Sequence, residues 1–266
     1  MHLHWADEGT GPAIVLLHAF PCDHHMWDSQ VLGLVEDRWR VLAVDLPGFG
    51  GSPLPDAEPD LGVVVELVVA DLLERGVDRL IVGGLSVGGY LVMEWLRRYP
   101  AMLAGVALCD TKATADEEIA RGNRRRMATD VETDPARTGQ ILRERMLGGI
   151  LGATTLDQRP EVVARVEAWM DSTSASTVAW YQEAMAKRPD SLATLGECDV
   201  PALVLWGQED TMSDATEQRR MLDALRDVRQ AEVPHAGHLS AIENPQEVTV
   251  QLVSFAAQVR RAGTDG

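Results

Sequence analysis

Gly84-Leu85-Ser86-Val87-Gly88 follows the aliphatic run Leu80-Ile81-Val82 and opens a helical pattern over residues 87–98. A serine with glycine two residues away on each side, at the junction of a strand and a helix, is the context of a nucleophile elbow. The turn is too tight for Cβ atoms at those two positions, which accounts for Gly84 and Gly88. It lifts the Ser86 hydroxyl out of the sheet, above the N-terminus of the next helix. The free N–H groups and the dipole there favour developing negative charge. Gly89 lets that helix approach the sheet closely. Alone, the same pattern also fits a glycine-rich turn of purely structural use.

Outward from this turn, short apolar runs alternate with helical patterns. Strands are expected at residues 13–17, 40–45, 79–83, 105–108 and 202–206, with a shorter one at Ala231-Glu232-Val233. Most are continuously apolar, as strands of a parallel sheet covered on both faces must be. Helices are expected at 61–75, 87–98 and 245–261. Strand and helix in turn give an α/β class, a mostly parallel doubly wound sheet. Residues 112–195 break the rhythm: helical stretches near 116–128, 136–147, 160–170 and 174–187 are separated by Pro, Gly and polar turns, with no strand pattern. The segment is too long for a loop. It is expected to be a helical cap inserted before the last strands, between core portions 1–111 and 196–266. Residues 262–266 are expected to fray.

Composition narrows the class of partner. The 266 residues carry 24 Lys+Arg against 41 Asp+Glu, a net charge of −17, and 45% are hydrophobic. A surface this acidic repels polyanions, so neither nucleic acid nor an anionic membrane is an expected partner. No apolar stretch reaches the roughly 18 residues that span a bilayer. The N-terminus lacks a basic segment leading into an apolar one, so no signal peptide is expected. Cys22, Cys109 and Cys198 are an odd number in no metal-ligand spacing, which suits reduced thiols in the cytoplasm.

A serine nucleophile needs a base, and the base an orienting carboxylate. The histidines are His2, His4, His18, His24, His25, His235 and His238. His238 follows Ala236-Gly237 beyond a short strand, where a base can reach over a sheet; His235 is the competing choice. Asp210 lies just past the run Leu203-Val204-Leu205-Trp206. It is favoured over Glu209, whose side chain alternates to the other side of an extended segment, and over the more distant Asp214. The order Ser86, Asp210, His238 is the order this architecture uses.

On these residues the chain resembles the α/β-hydrolase superfamily. His18-Ala19-Phe20-Pro21, Asp45-Leu46-Pro47-Gly48-Phe49-Gly50-Gly51-Ser52, Gly84 to Gly88, Gly207 to Asp210, and Gly237-His238 follow the family's order and intervals. Within it the chain is similar to the small capped esterase, enol-lactonase and cofactor-free haloperoxidase group. The run Gly237-His238-Leu239-Ser240-Ala241-Ile242-Glu243-Asn244-Pro245 is like that of 3-oxoadipate enol-lactonases. The resemblance implies an oxyanion hole from the backbone N–H groups of Phe20 and Val87. Ala19 stands where glycine is usual and would strain the loop if that position needed a positive φ. Serine, where some relatives carry aspartate, argues against haloalkane dehalogenase and epoxide hydrolase chemistry.

The expected activity is therefore hydrolysis of a small carboxylic ester or lactone through an acyl-enzyme, without metal or cofactor. Two alternatives stand beside it: the same triad running perhydrolysis, C–C bond hydrolysis or a lyase step, and a ligand-binding or receptor protein. Trp27, Met127 and Leu239 are candidates for the substrate pocket, although Trp27 reads first as an anchor for the helix after it. His24 and His25, beside Cys22 and Asp23, fit no zinc motif, and His18 is expected to pack or hydrogen-bond beneath the oxyanion loop. Arg121, Arg124, Arg125 and Arg126 could meet an acidic substrate, but read first as a solvated face balancing Glu117, Glu118 and Asp130. Nothing in the sequence specifies an oligomer.

Overall fold

A computed structural model describes residues 2–264. Seven strands form one sheet: β1 (Trp5–Glu8), β2 (Ala13–Leu17), β3 (Arg40–Val44), β4 (Leu80–Leu85), β5 (Leu103–Cys109), β6 (Ala202–Gly207) and β7 (Val228–Val233). Their order is β1-β3-β2-β4-β5-β6-β7; β1 is antiparallel to β3 and every other pairing is parallel. β2 and β4 are buried at every position, which requires cover on both faces. The α/β expectation therefore holds, with two changes. β1 is an additional edge strand, half polar and half exposed. β7 begins three residues before the expected run, through Val228, Arg229 and Gln230. Edge strands face solvent along one side, so their sequences lack the continuous apolar signal.

The helices of the sheet are α1 (Asp28–Glu36), α2 (Leu61–Glu74) and α3 (Val87–Arg98). Between β5 and β6 come α4 (Glu118–Thr133), α5 (Thr138–Leu142), α6 (Gly148–Ile150), α7 (Ala153–Gln158), α8 (Pro160–Ser172), α9 (Ala175–Lys187) and α10 (Leu192–Gly196). α11 (Ala215–Ala224), α12 (Ser240–Glu243) and α13 (Pro245–Thr264) complete the chain. α1 packs on α13 and α2 on α3; in the long excursion α4 packs on α9 and α5 on α8. The excursion is helical throughout, as its sequence predicts, but its second helix is interrupted by a π turn at Arg143–Leu147. The expected fraying at 262–266 falls partly on α13, which continues through Thr264; residues 265–266 lie outside the described residues. Among the described residues no helix is long and apolar enough to cross a membrane.

Register places the chemistry. Leu17 pairs with Val44 and with Gly84, Leu85 with Cys109, and Cys109 with Leu205, so the carboxyl ends of the central strands finish along one edge. His18, Asp45, Ser86, Asp110 and Asp210 all lie just beyond those ends, the edge where open α/β sheets bind ligands.

Close packing at that edge gives a contrast between two glycines. A Cβ on Gly88 would sit 2.2 Å from the carbonyl oxygen of Leu17, whereas one on Gly122, inside α4, meets nothing within 4 Å. Gly88→Ala should cost about 3 kcal/mol, and Gly122→Ala should stabilise by roughly 0.5–1 kcal/mol through helix propensity. Chemical denaturation of the two variants should therefore shift in opposite directions; shifts of the same sign would contradict this packing.

Candidate active site

Ser86 joins β4 to α3 with φ 57° and ψ −113°, a left-handed conformation that a side chain rarely tolerates. It is held on both sides. Its N–H donates to the carbonyl of Cys109 at 3.0 Å, and its carbonyl accepts the Thr111 hydroxyl at 2.8 Å. A Cβ on Gly84 would stand 2.2 Å from the Gly88 backbone, and one on Gly89 would strike Thr111 at 2.5 Å. Gly84 and Gly89 are thus needed for the reasons the sequence suggests, closure of the turn and close approach of the helix, whereas Gly88 is required by the Leu17 carbonyl of the neighbouring strand.

His238 and Asp210 arrive from the loops after β7 and β6. His238 Nε2 lies 2.8 Å from Ser86 Oγ, and His238 Nδ1 lies 2.9 Å from Asp210 Oδ2. With Nδ1–H donated to Asp210, Nε2 is left to accept the serine hydroxyl. Asp210 also accepts the Ser213 hydroxyl at 2.5 Å and the backbone N–H groups of Met212 and Ser213 at 2.8 and 3.1 Å. Burial alone would raise its pKa, but His238 and these donors outweigh burial and hold the carboxyl down to about 2. A hydroxyl, an acceptor imidazole and an ionised carboxylate in line can draw a proton from the hydroxyl during attack on a carbonyl.

The alternatives to these residues face elsewhere. Glu209 accepts the N–H of Thr154 at 2.8 Å and its hydroxyl, tying α7 to the Asp210 loop. His235 is exposed, with its carbonyl taken by Arg159. Asp214 caps α11. Two buried carboxylates that sequence reasoning missed brace the loops. Asp110 accepts the N–H of Gly207 at 2.7 Å and the hydroxyl of Ser240, joining the segments that carry Asp210 and His238. Burial, then the charge of Asp210, push the Asp110 carboxyl well above its usual range. Glu243 accepts the N–H of Leu239 at 3.0 Å and of Gly152 at 2.8 Å.

The loop after β2 carries Phe20, which lines the same cavity as Ser86 and His238, while Val87 is the buried first residue of α3. Ala19 is not among the residues with positive φ, so the strain anticipated there does not arise. Its N–H donates to Met26 Sδ at 3.1 Å. His18 lies beneath: Nδ1 donates to the Ala19 carbonyl at 2.9 Å and Nε2 accepts Leu46 N–H at 2.9 Å. Both nitrogens are satisfied only in the neutral ring, and burial lowers its pKa to about 4.

The cavity has a volume of about 330 Å³, within the range of small-ligand sites. Met127 lines it. Trp27 and Leu239 do not: both are completely buried, Trp27 in the turn before α1 and Leu239 in the turn braced by Glu243. Tyr90, Lys112, Arg124, Arg145 and Gln182 are on the wall instead. Tyr90 could have been found from its place one helical turn after Ser86, and Lys112 from its position just past β5. The arginine run divides. Arg121 reaches Glu118 at 4.0 Å and Arg126 bonds Asn123, as a solvated face would, but Arg124 turns inward to Asp116 at 2.5 Å. Asp116 is buried and also meets Lys112 at 3.2 Å and Arg188 at 2.8 Å. The wall thus carries three cations, Lys112 and Arg124 paired with Asp116 on the same wall, and Arg145 paired with Asp130, which lies outside it.

Comparison with known proteins bears on the family and the fold. A family profile described as alpha/beta hydrolase fold matches residues 12–245. A thermophilic esterase from Thermogutta terrifontis, solved with malate bound, superposes with TM-score 0.92 at 34% identity, covering 97% of this chain and 93% of that one. The enol-lactonase of Burkholderia xenovorans superposes with TM-score 0.87 at 26% identity, covering 96% of each. Among curated relatives, the bifunctional epoxide hydrolase 2 of Rattus norvegicus is 23% identical over 96% of this chain. The chain spans about half the length of that relative, 53%.

The buried neutral His18 fixes a pH dependence. The unfolded chain protonates this ring near 6.5 and the folded chain only near 4, so stability must fall as pH drops through that interval. Asp210 adds a later loss, complete only as pH falls through about 2. Urea titrations from pH 7 to pH 4 should lose on the order of 3 kcal/mol to His18. His18→Asn, less stable at pH 7, should show a flatter slope over the same range; an unchanged slope would mean that another group titrates.

Proposed function

The chain belongs to the alpha/beta hydrolase fold family, and from that premise we propose that it is a serine hydrolase of small carboxylic esters or lactones. The observation that carries this reading is the unbroken chain Ser86–His238–Asp210, with Ser86 and His238 in the wall of a substrate-sized cavity. Ser86 Oγ attacks the carbonyl carbon while His238 Nε2 takes the hydroxyl proton. Asp210 stays ionised, holds the imidazole in the tautomer that accepts at Nε2, and stabilises the imidazolium. The N–H groups of Phe20 and Val87 receive the oxyanion, each such donor being worth roughly 3–4 kcal/mol in the transition state.

Collapse of the tetrahedral intermediate breaks the C–O bond, and His238 returns the proton to the leaving alkoxide. A water, deprotonated by His238, then attacks the acyl-serine; collapse breaks the bond from carbon to Ser86 Oγ, His238 returns the proton to that oxygen, and the carboxylic acid departs. Residues 112–195 act as a cap, supplying Met127, Arg124 and Gln182 to the pocket. A hydroxyl nucleophile at position 86 favours this chemistry over epoxide opening.

The cationic wall adds a preference for a substrate with its own negative charge. Arginine and lysine beside a carbonyl site in a chain of net charge −17 are placed to pair with a carboxylate substituent. Malate, bound in the thermophilic esterase structure, is a dicarboxylate.

Ser86→Ala should fold normally and lower kcat for an activated ester by about 10⁴-fold or more; turnover near the wild-type rate would remove Ser86 from the mechanism. A carboxylate-bearing ester should exceed its neutral methyl-capped counterpart in kcat/KM by about tenfold, with the gap narrowing in high salt. Equal turnover of the pair would show that Lys112, Arg124 and Arg145 do not select substrate.

A further inference from the structure

His4, His24 and Asp45 come from three segments distant in sequence and meet beside the loop after β2. His24 Nδ1 lies 2.6 Å from one oxygen of Asp45, and His4 Nδ1 lies 2.8 Å from the other. The three donor atoms fall within 4.8 Å of one another. Each segment is fixed by its backbone. His4 N–H donates to Ser52 Oγ and its carbonyl accepts Asp45 N–H, both at 2.9 Å. His24 N–H and Gly51 N–H each donate to Asp45 at 2.8 Å. The side chain of Asp45 is 1% exposed, that of His24 11% and that of His4 52%, so the cluster opens to solvent on one side. Burial works against the ionised form of Asp45, but the Gly51 and His24 donors prevail and hold its carboxyl below the usual range.

We propose that His4, His24 and Asp45 form a binding site for one divalent transition-metal ion, with Zn²⁺ as its best fit, completed by solvent beside His4. Two imidazoles and one carboxylate are a zinc donor set with an open fourth position. Donors roughly 2.0–2.1 Å from one ion are about 2.9 Å apart at a right angle and about 3.3 Å apart at the tetrahedral angle. The two N–O separations, 2.6 and 2.8 Å, are to different oxygens of Asp45, so both carboxylate oxygens face the ion, and shifts of about half an ångström, which the half-exposed His4 ring can supply, bring them to these values. Each ring ligates in its neutral form: its Nδ1 proton moves to Nε2, and the ion replaces two N–H···O hydrogen bonds. The strongly acidic chain draws cations toward the open side. Cys22 and His25 remain outside: Cys22 is fully buried, with its thiol pushed up by burial, and His25 Nδ1 lies 3.2 Å from Asp28.

Dialysis against ZnCl₂ with metal analysis, isothermal titration of Zn²⁺, and Co²⁺ as a visible reporter test the site. One Zn²⁺ per chain is expected, with affinity at least tenfold lower in His4→Ala and in His24→Ala. A Co²⁺ d–d band should appear and be lost in His4→Ala. His4→Ala removes a half-exposed ring and leaves Asp45 its remaining donors, so its metal-free melting temperature should stay within a few degrees of wild type. His2→Ala removes the other three-residue histidine–carboxylate group found among the described residues, His2 with Asp71 and Glu74, and should bind as wild type does. No saturable binding, or equal affinity in wild type, His4→Ala and His24→Ala, would overturn the proposal.

Discussion

The left-handed backbone at Ser86 is the constraint from which the rest of the site follows. A non-glycine residue in such a conformation costs on the order of 1–3 kcal/mol and persists only where its surroundings over-determine it. Here they do. The Cys109 carbonyl and the Thr111 hydroxyl grip the peptide groups of Ser86. Gly84 and Gly88 let the strand and helix close on each other, and Gly88 lies against the Leu17 carbonyl without room for a methyl group. The sheet must therefore have β2, β4 and β5 side by side before the hydroxyl can be presented at all. Once it is, His238 has one place to stand.

What holds His238 there is a set of buried polar braces. Asp110 links Gly207 to Ser240, and Glu243 links Leu239 to Gly152. Arg159 adds bonds to the carbonyls of His235 and Glu243, at 2.8 and 2.7 Å. Buried hydrogen bonds of this kind add little net stability, because desolvation offsets much of their gain. Their effect is geometric: they couple the excursion between β5 and β6 to the loops that carry Asp210 and His238.

Much of this was legible in the sequence. The buried strands announce themselves because both faces are covered, and the glycines around Ser86 because only they fit the turn. Asp210 and His238 were found from strand-end position and chain order. The edges were legible only in part: β1, Trp5-Ala6-Asp7-Glu8, carries charge where it meets Arg40, and β7, expected only over 231–233, alternates polar and apolar residues. Trp27, which reads first as an anchor for the helix after it, is fully buried beside α1, and Leu239, a pocket candidate in the sequence, is fully buried in the turn braced by Glu243; neither is on the cavity wall. Arg124 was assigned to a solvated face because Asp116, which turns it inward, meets it eight residues away only in the folded chain. The His4–Asp45–His24 cluster was hidden for the same reason: no local spacing relates three segments joined only by the sheet.

Charge ties these parts together. A chain of net charge −17 repels anions at long range, yet its cavity wall carries Lys112, Arg124 and Arg145, so any anionic ligand is selected at close quarters. Whether Ser86 is an activated nucleophile is tested by intact mass after treatment with a fluorophosphonate, on wild type and on Ser86→Ala. The geometry predicts one adduct per wild-type chain and none on the variant. An unlabelled but folded wild-type protein, or an adduct that survives the substitution, would contradict it.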